Sequence, residues 1–359
     1  MFRYLGIYYG SAAEIHASQE VLMESVGKGL SPPTARICIY RPPAITIGYF
    51  QDVFEEVNVK EARRLGLDIM RRPTAGGTVL MKGPEGSEDV PGWEIWVHEK
   101  FKGLPDDIEE RYYYLTLPMI EVLNKLGIDA KFRAKNDIEV KGRKIAGVGE
   151  CVINNGLLHT GTLLIDFDIP TMLKVLRIVP EKISDKHIKI VSERITTIKR
   201  ELGYKPSLRE ISNLFKKALK YYFNTNIGKG ELTSWETSRL KEIIKRYSSY
   251  EWTFKNIVPK TYSWSYIKKT RAGLFRIYVK IEDEKTINSV IISGDFFIHP
   301  RRTIYDLEAK LKWRKLEKNE VYAIVKEVFQ EHNAKILGIG VEDFFKVLWN
   351  ALTLKAERE

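Results

Sequence analysis

The chain has 359 residues, which is too long for one ordinary domain, so we expect two domains. Hydrophobic residues make up 44% of it, enough for packed cores and too many for a disordered protein. No apolar run approaches the ~20 residues of a membrane span, and residues 1–10 lack the apolar stretch of a signal peptide. Since neither a membrane span nor a signal peptide is recognisable, we expect a cytoplasmic protein. The net charge of +11 is spread along the chain without a basic tail, so we favour a Lys- and Glu-rich surface over nucleic-acid binding.

The first half of the chain alternates short strands with helices. Strands are predicted over residues 35–40 and 44–48, on either side of a Pro-Pro turn. A helix is predicted from Asn58, with Glu61 three residues later, to Gly66, and residues 67–72 form a strand that leads into a glycine turn. Residues 108–126 have helical spacing, which Pro118 could interrupt. Residues 138–140, 144–153 and 157–165 are then separated by turns, which predicts an antiparallel meander.

Further helices are predicted from Ser207 to Tyr222 and from Thr233 to Tyr247, since each has Glu three residues after its first residue. The aromatic stretch 256–265 is the predicted linker. Beyond it, residues 273–281 and 289–293 predict a hairpin, and helices are predicted over 303–311, 319–332 and 341–351. The sequence therefore predicts a large mixed α/β domain (1–255), a linker (256–265) and a small α+β domain (266–359).

Four local patterns could carry chemistry. A strand ends in Arg71-Arg72-Pro73-Thr74-Ala75-Gly76-Gly77-Thr78-Val79, where guanidinium groups and exposed backbone N–H groups suit a phosphate or carboxylate, although such a turn is more often a simple hairpin. Lys144 precedes the small residues Ala146 and Gly147, which leave room for a ligand. Asn136-Asp137 could be a turn, or could orient a lysine or a magnesium-bound phosphate. His159-Thr160-Gly161-Thr162 lies in a strand, where a histidine is more often structural.

Together, these patterns resemble the lipoate–protein ligase family. The resemblance is carried by Asn136-Asp137-Ile138, then Gly142-Arg143-Lys144-Ile145-Ala146-Gly147, then His159-x-Gly161-Thr162-Leu163-Leu164, with the arginine–glycine turn and Ile47-Gly48-x-x-Gln51 upstream. Residues 273–311, including Gly294-Asp295-Phe296-Phe297, look like the accessory domain fused to many members. The resemblance implies a mixed-sheet α/β catalytic domain of the lipoate and biotin ligase type.

The resemblance also implies the reaction. Lipoate and ATP, with Mg²⁺, would give lipoyl-AMP, and the lipoyl group would pass to a lysine of a lipoyl domain, in an E2 subunit of a 2-oxoacid dehydrogenase or a glycine cleavage H-like protein. The residues implied for ATP are Arg72, Gly76, Gly77, Thr78, Val79, Leu80, Asn136, Asp137 and Lys144. Those implied for lipoate are Lys144, Gly147, His159 and Gly161. Lys144 would be catalytic, and Asp137 is the candidate magnesium ligand.

Two departures from the family pattern concern the nucleotide and the acyl chain. Ala75 replaces the usual third glycine, which is tolerable if that position does not need a positive φ. Met81-Lys82 stands where a His-Asp pair usually follows the turn, and residues 83–92 form an extended acidic loop.

Three other functions remain open. An octanoyltransferase would carry its acyl group on a cysteine, which in the similar transferases lies in the stretch that here is Phe132-Arg133-Ala134-Lys135 and contains no cysteine. Cys38 and Cys151 are the only cysteines of the chain, and two cysteines exclude a disulfide framework. A biotin ligase is less favoured because the Gly-Arg-Gly-Arg type loop is missing. A basic nucleic-acid-binding or scaffold protein could have kept the fold without its activity.

Overall fold

A computed structural model describes residues 1–177, 185–255, 258 and 261–354, and its backbone divides into two compact units. The first unit comprises Met1–Ile47, Phe54–Thr74 and Thr78–Thr253. The second comprises Gly48–Val53, Ala75–Gly77 and the chain from Phe254 onward. The predicted linker, 256–265, lies partly outside the described residues, and its role stays a prediction. The predicted mixed α/β architecture is confirmed.

The first unit is built on two sheets. Its strands are β1 (Phe2–Gly10), β2 (Thr34–Tyr40), β3 (Ala44–Ile47), β4 (Asp68–Arg71), β5 (Val79–Met81), β6 (Gly92–His98), β7 (Lys131–Arg133), β8 (Asp137–Val140), β9 (Arg143–Ile153), β10 (Gly156–Leu163) and β11 (Ile227–Lys229). Its helices are α1 (Ala12–Gly27), α2 (Val53–Glu56), α3 (Val59–Arg64), α4 (Ile108–Lys125), α5 (Ile169–Val175), α6 (Asp185–Arg194), α7 (Ile198–Leu202), α8 (Leu208–Tyr222), α9 (Ser234–Tyr247) and α10 (Tyr250–Phe254), of which α2 and α10 each include one residue assigned to the second unit.

The large sheet has eight strands in the order β11-β1-β2-β6-β10-β9-β8-β7, and a separate three-stranded sheet has the order β4-β3-β5. Strand β1 pairs in parallel with β2 and β11, whereas β2, β6, β10, β9, β8 and β7 are antiparallel to one another in turn. The predicted meander is therefore confirmed as strands β8 to β10.

Helix α1 is an element that the sequence analysis did not predict. It is buried along almost its whole length, so it lacks the alternation of apolar and polar faces by which surface helices are recognised. Its end approaches the β9–β10 turn so closely that a Cβ on Gly27 would lie 2.0 Å from the carbonyl oxygen of Asn154. The one available signal was its capping box, Ser11 with Glu14.

The predicted helix starts are confirmed by their caps. The side chains of Asn58, Ser207 and Thr233 each accept a hydrogen bond from the backbone N–H three residues later, and Thr233 forms a full capping box with Glu236. The possible interruption at Pro118 is wrong, because α4 continues through that residue. Its buried face, which includes Leu115 and Met119, stabilises the helix despite the missing backbone N–H.

The second unit is a small α+β unit, as predicted. Its strands are β12 (Trp264–Thr270), β13 (Gly273–Glu282), β14 (Thr286–Gly294), β15 (Ile298–His299), β16 (Arg314–Lys315) and β17 (Lys335–Ile336), and its helices are α11 (Arg302–Leu311), α12 (Lys318–Glu331) and α13 (Val341–Thr353). Strands β12-β13-β14-β16 form one antiparallel sheet, and the predicted hairpin is β13 with β14. Phe275 and Phe296 stack in its core with centroids 4.4 Å apart. Of the helices in the described part of the chain, none is long and apolar enough to cross a membrane.

Candidate active site around Lys144

A β-bulge in β9 determines where Lys144 points. Ile138 pairs with Ala146, but the next residue of β8, Glu139, pairs with Lys144, so β9 has one extra residue, Ile145, at this point. A one-residue shift moves every later side chain to the other face of a strand. Without the bulge, Lys144 and Gly147 would lie on opposite faces of the sheet. With it, the ammonium group of Lys144 lies directly over Gly147.

Gly147 leaves the space that the ammonium group occupies. A Cβ at this position would lie 2.7 Å from Nζ of Lys144 and 2.9 Å from its Cε. On the other side, Nζ forms an ion pair with Oδ1 of Asp137 at 2.6 Å, and Asp137 is the direct cross-strand neighbour of Gly147. Lys144 keeps 38% of its side-chain surface exposed. Its charge is thus held in one place yet remains accessible to a ligand.

Two cations determine the charge state of Asp137. Burial alone would raise its pKa, but Lys144 and Arg133, whose Nη2 lies 2.7 Å from Oδ2, hold the pKa below its ordinary value of 3.8. Asp137 is therefore ionised at neutral pH and positions Lys144. Asn136 binds Val148 of β9: its carbonyl oxygen accepts from the Val148 backbone N–H at 2.8 Å, which extends the ladder, and its Nδ2 donates to the Val148 carbonyl oxygen at 3.0 Å.

Replacing Lys144 by methionine should raise the pKa of Asp137, because burial would then be opposed by Arg133 alone. Since the folded-state pKa of Asp137 lies below 3.8 in the wild type, its contribution to stability is present above that value and is lost as the pH falls through the lowered pKa. In the variant this contribution should be smaller, and its loss should be complete at a higher pH, because the folded-state pKa lies closer to the ordinary value. The measurement is the ¹³C carboxyl shift of Asp137 against pH. Lys141→Met is the control, because Lys141 pairs with Glu201; an unchanged Asp137 titration in Lys144→Met would contradict the ion pair.

Small side chains cross the sheet in line with Gly147. Strand registers place Cys38, Gly92, Thr162, Gly147 and Asp137 side by side on β2, β6, β10, β9 and β8. We call these five residues the small-residue row. Because cross-strand neighbours project from the same face, the row forms a shallow strip that begins at the Lys144 ammonium. The sequence analysis missed Gly92 and quoted Thr162 only as part of the histidine motif, since only the register reveals their alignment.

The next row on the same face is charged and buried. Arg36 and Glu94 are cross-strand neighbours, both fully buried, and Nε of Arg36 donates to Oε2 of Glu94. Gln19 of α1 donates to Oε1 of the same carboxylate. Arg36 also reaches the Ser18 hydroxyl at 2.8 Å, so α1 covers this face of the sheet. Charged residues within otherwise apolar strands were the sequence signal for this cluster.

His159 lies on the opposite face of the sheet and is fully engaged by protein groups. Its Nδ1 is 2.9 Å from Oε1 of Glu150, and its Nε2 is 3.1 Å from the Thr116 hydroxyl. The Trp93 ring packs against it at 5.3 Å, in space left by Gly161, where a Cβ would lie 2.6 Å from the indole. The geometry assigns His159 and Gly161 to packing beneath the sheet, and their predicted contact with lipoate stays a prediction.

The arginine–glycine turn connects β4 and β5 of the three-stranded sheet, whereas Lys144 lies on β9 of the eight-stranded sheet. Arg72 donates to the Thr74 hydroxyl and to the carbonyl oxygen of Thr46, each at 3.0 Å. Gly76 has a φ of +93°, a conformation that favours glycine, whereas Ala75 has no positive φ, which explains why alanine is tolerated there. After the turn, Val79 and Leu80 belong to β5 and pair with β3, and Thr78 precedes them.

Met81-Lys82 has a structural role in this chain. Met81 is 2% exposed and pairs with Ala44 of β3. Nζ of Lys82 lies 2.8 Å from Oδ2 of Asp168, the N-cap residue of α5, and so ties the following loop to that helix. Although burial raises the pKa of Asp168, Lys82 and the backbone of Thr171 lower it below its ordinary value. At the position where the family pattern has a His-Asp pair, this chain thus has a lysine that forms a partly buried ion pair with Asp168.

Neither cysteine is placed to act with Lys144. Cys151 lies seven residues further along β9, roughly 23 Å away at ~3.3 Å per residue. Cys38 lies at the far end of the small-residue row and is 1% exposed; burial raises the pKa of its thiol well above the ordinary value. In the described part of the chain no group of three His, Cys, Asp or Glu side chains could hold a metal ion.

Known proteins resemble this chain in sequence and in fold. Residues 11–220 match the family model described as "Lipoyl protein ligase A/B catalytic domain". The chain is 26% identical over 328 residues to lipoate-protein ligase LplJ of Bacillus subtilis, covering 90% of this chain and 93% of that protein. It is 25% identical over 268 residues to octanoyltransferase LipM of Kyrpidia tusciae, covering 68% and 96%. The crystal structure of P. falciparum LipL1 in complex with lipoate has the same fold, with a TM-score of 0.75, 15% identity and coverage of 97% and 98%.

Proposed function

Because the chain belongs to the lipoyl protein ligase A/B catalytic-domain family, an enzyme family of lipoate ligases and octanoyltransferases, we propose that it is an ATP-dependent lipoate–protein ligase. It would activate lipoate as lipoyl-AMP, release pyrophosphate and transfer the lipoyl group to a lysine of a lipoyl domain. The observation that carries the proposal is the Lys144 ammonium, held by Asp137 over Gly147 at the start of the small-residue row.

The chemistry of adenylate formation needs such a cation. A carboxylate that attacks an α-phosphate brings two anions together, and negative charge spreads over the phosphoryl oxygens in the transition state. An ammonium group has three N–H donors, so Lys144 can hold Asp137 and still donate to the acid and to the phosphate. Asp137 would position this donor. Mg²⁺ would arrive with the phosphates of ATP, because magnesium usually binds through substrate phosphates and only one or two carboxylates.

Two observations favour a ligase over an octanoyltransferase. The similarity to LplJ extends over 90% of this chain, whereas the similarity to LipM extends over 68%. A thioester mechanism also needs a reactive cysteine, and both cysteines are buried away from Lys144.

We assign to the second unit a supporting role in activation of the free acid. We assign to the whole protein a cytoplasmic location, with E2 or H-like lipoyl domains as acceptors.

One assay tests the function. The purified chain is incubated with MgATP, lipoate and a lipoyl domain, and the acceptor is weighed by mass spectrometry. We expect the mass of the lipoyl domain to increase by one lipoyl group only when ATP is present. The same reaction should form AMP and pyrophosphate. Acceptor modification from octanoyl-acyl carrier protein without ATP would instead establish the transferase. Salt-sensitive binding to arbitrary DNA without modification of the acceptor would support a nucleic-acid-binding protein.

The Cys38→Ala/Cys151→Ala double variant should keep its ATP-dependent activity. A phosphate anhydride carries the acyl group in the ligase mechanism, so no thiol is needed. Because both side chains are buried, we expect a loss of about 1–2 kcal/mol in stability and little change in rate. Activity is measured by the mass of the acceptor, and folding by circular dichroism. A folded double variant that no longer transfers, together with a hydroxylamine-sensitive thioester on the wild type, would replace the ligase with the transferase.

A further inference from the structure

His16 of α1 is buried and has an unused hydrogen-bonding atom. The residue is 1% exposed, and among the described residues no group forms a hydrogen bond with its Nε2. Its Nδ1 lies 2.9 Å from Oε1 of Gln19. A buried polar atom without a partner costs stability, so such an atom in a native protein calls for a ligand or a water molecule.

The charged cluster determines which proton His16 carries. The carboxylate of Glu94 accepts from the guanidinium of Arg36 with one oxygen and from the amide NH₂ of Gln19 with the other. The amide oxygen of Gln19 therefore faces His16 and accepts the proton of Nδ1. Burial, followed by the charges of Arg72 and Arg36, lowers the pKa of His16 to about 3, so the ring is neutral at pH 7. In this tautomer Nε2 has a lone pair and is an acceptor only.

His16 lies near the far end of the small-residue row. Its ring is 5.7 Å from that of Tyr40, which lies two residues beyond Cys38 on β2. From β9, which holds Lys144, to β2 there are three strand spacings, or roughly 14 Å. An extended eight-carbon acid spans ~9 Å, and the histidine side chain covers part of the remainder. An acid bound at Lys144 and extended along this row would therefore point its distal end towards His16.

We propose that His16 is a specificity-determining residue of the acyl site, where its Nε2 accepts a hydrogen bond from a donor near the distal end of the acyl chain. This inference rests on the proposed function, because the proposed function places the carboxyl end of the acid at Lys144. Octanoate has no donor at its distal end, and the cyclic disulfide of lipoate has none. The dithiol form, dihydrolipoate, has two S–H donors. The site therefore prefers the dithiol.

The test compares binding of three acids, octanoate, lipoate and dihydrolipoate, by calorimetry under anaerobic conditions. The full chain is used without ATP. We expect dihydrolipoate to bind about tenfold more tightly than lipoate, the effect of one hydrogen bond to a buried group. If no acid binds, the proposed function fails together with this inference. If the acids bind equally well, the inference alone is wrong.

Two variants distinguish the role of Nε2 as a hydrogen-bond acceptor from a purely structural role of His16. In His16→Asn the amide nitrogen can occupy the place of Nδ1 and keep the bond to Gln19, but nothing replaces Nε2. In His16→Gln the amide can reach the place of Nε2 and present an acceptor, while the bond to Gln19 is lost. We expect His16→Asn to bind all three acids alike and His16→Gln to retain the preference. The reverse pattern, in variants whose thermal unfolding shows that they are folded, would mean that His16 only supports Gln19 and would overturn the inference.

Discussion

Replacing Lys144 with alanine should slow adenylate formation by about 10²–10³-fold, the usual effect of removing one preorganised donor from a site where negative charge develops. The expected loss follows from the position of the ammonium, which Asp137 holds 2.6 Å away over the space left by Gly147. The measurement is lipoate-dependent exchange between ATP and pyrophosphate. Lys144→Arg should also fail, because a planar guanidinium is larger than the ammonium that fits over Gly147.

Lys141→Ala is the matched control for this experiment. Lys141 lies in the adjacent turn, is 76% exposed and pairs with Glu201, so its removal should leave the exchange rate unchanged. The far-ultraviolet circular dichroism of all variants should match that of the wild type. Exchange at the wild-type rate by folded Lys144→Ala would exclude Lys144 from the reaction.

Replacing Glu94 with alanine should destabilise the first unit by about 3–5 kcal/mol, the cost of leaving one partner of a buried ion pair without its counter-charge. Arg36 and Glu94 are both fully buried in the large sheet, so water cannot solvate the remaining guanidinium. The measurement is hydrogen exchange of peptides from β2 and β6 in increasing urea, which reports on the first unit separately from the second.

The Arg36→Met/Glu94→Leu double variant is the control for that prediction. It removes both charges and fills a similar volume, so its stability should lie much closer to the wild type than that of Glu94→Ala. If Glu94→Ala proves as stable as the wild type, the carboxylate does not compensate a buried charge. The tautomer assigned to His16 would then lose its support as well, because Gln19 is oriented by Glu94.

The sequence alone determined the elements whose signals are local. Helix starts at Asn58, Ser207 and Thr233 were predictable because a capping side chain binds a backbone N–H only three residues away. The meander was predictable from alternating strands and glycine turns, and the motif around Lys144 indicated the family. These features depend on neighbours in the chain.

Only the tertiary structure decided the features that depend on distant partners. Helix α1 was missed because its polar residues are buried by other elements, so its sequence shows no amphipathic face. The small-residue row joins five strands, and its alignment exists only once their registers are set. The bulge at Ile145 is decided by the pairing of β8 with β9, and it turns Lys144 towards Gly147 and Asp137. A sequence motif can identify the lysine, but hydrogen bonds between strands decide on which face of the sheet its side chain lies.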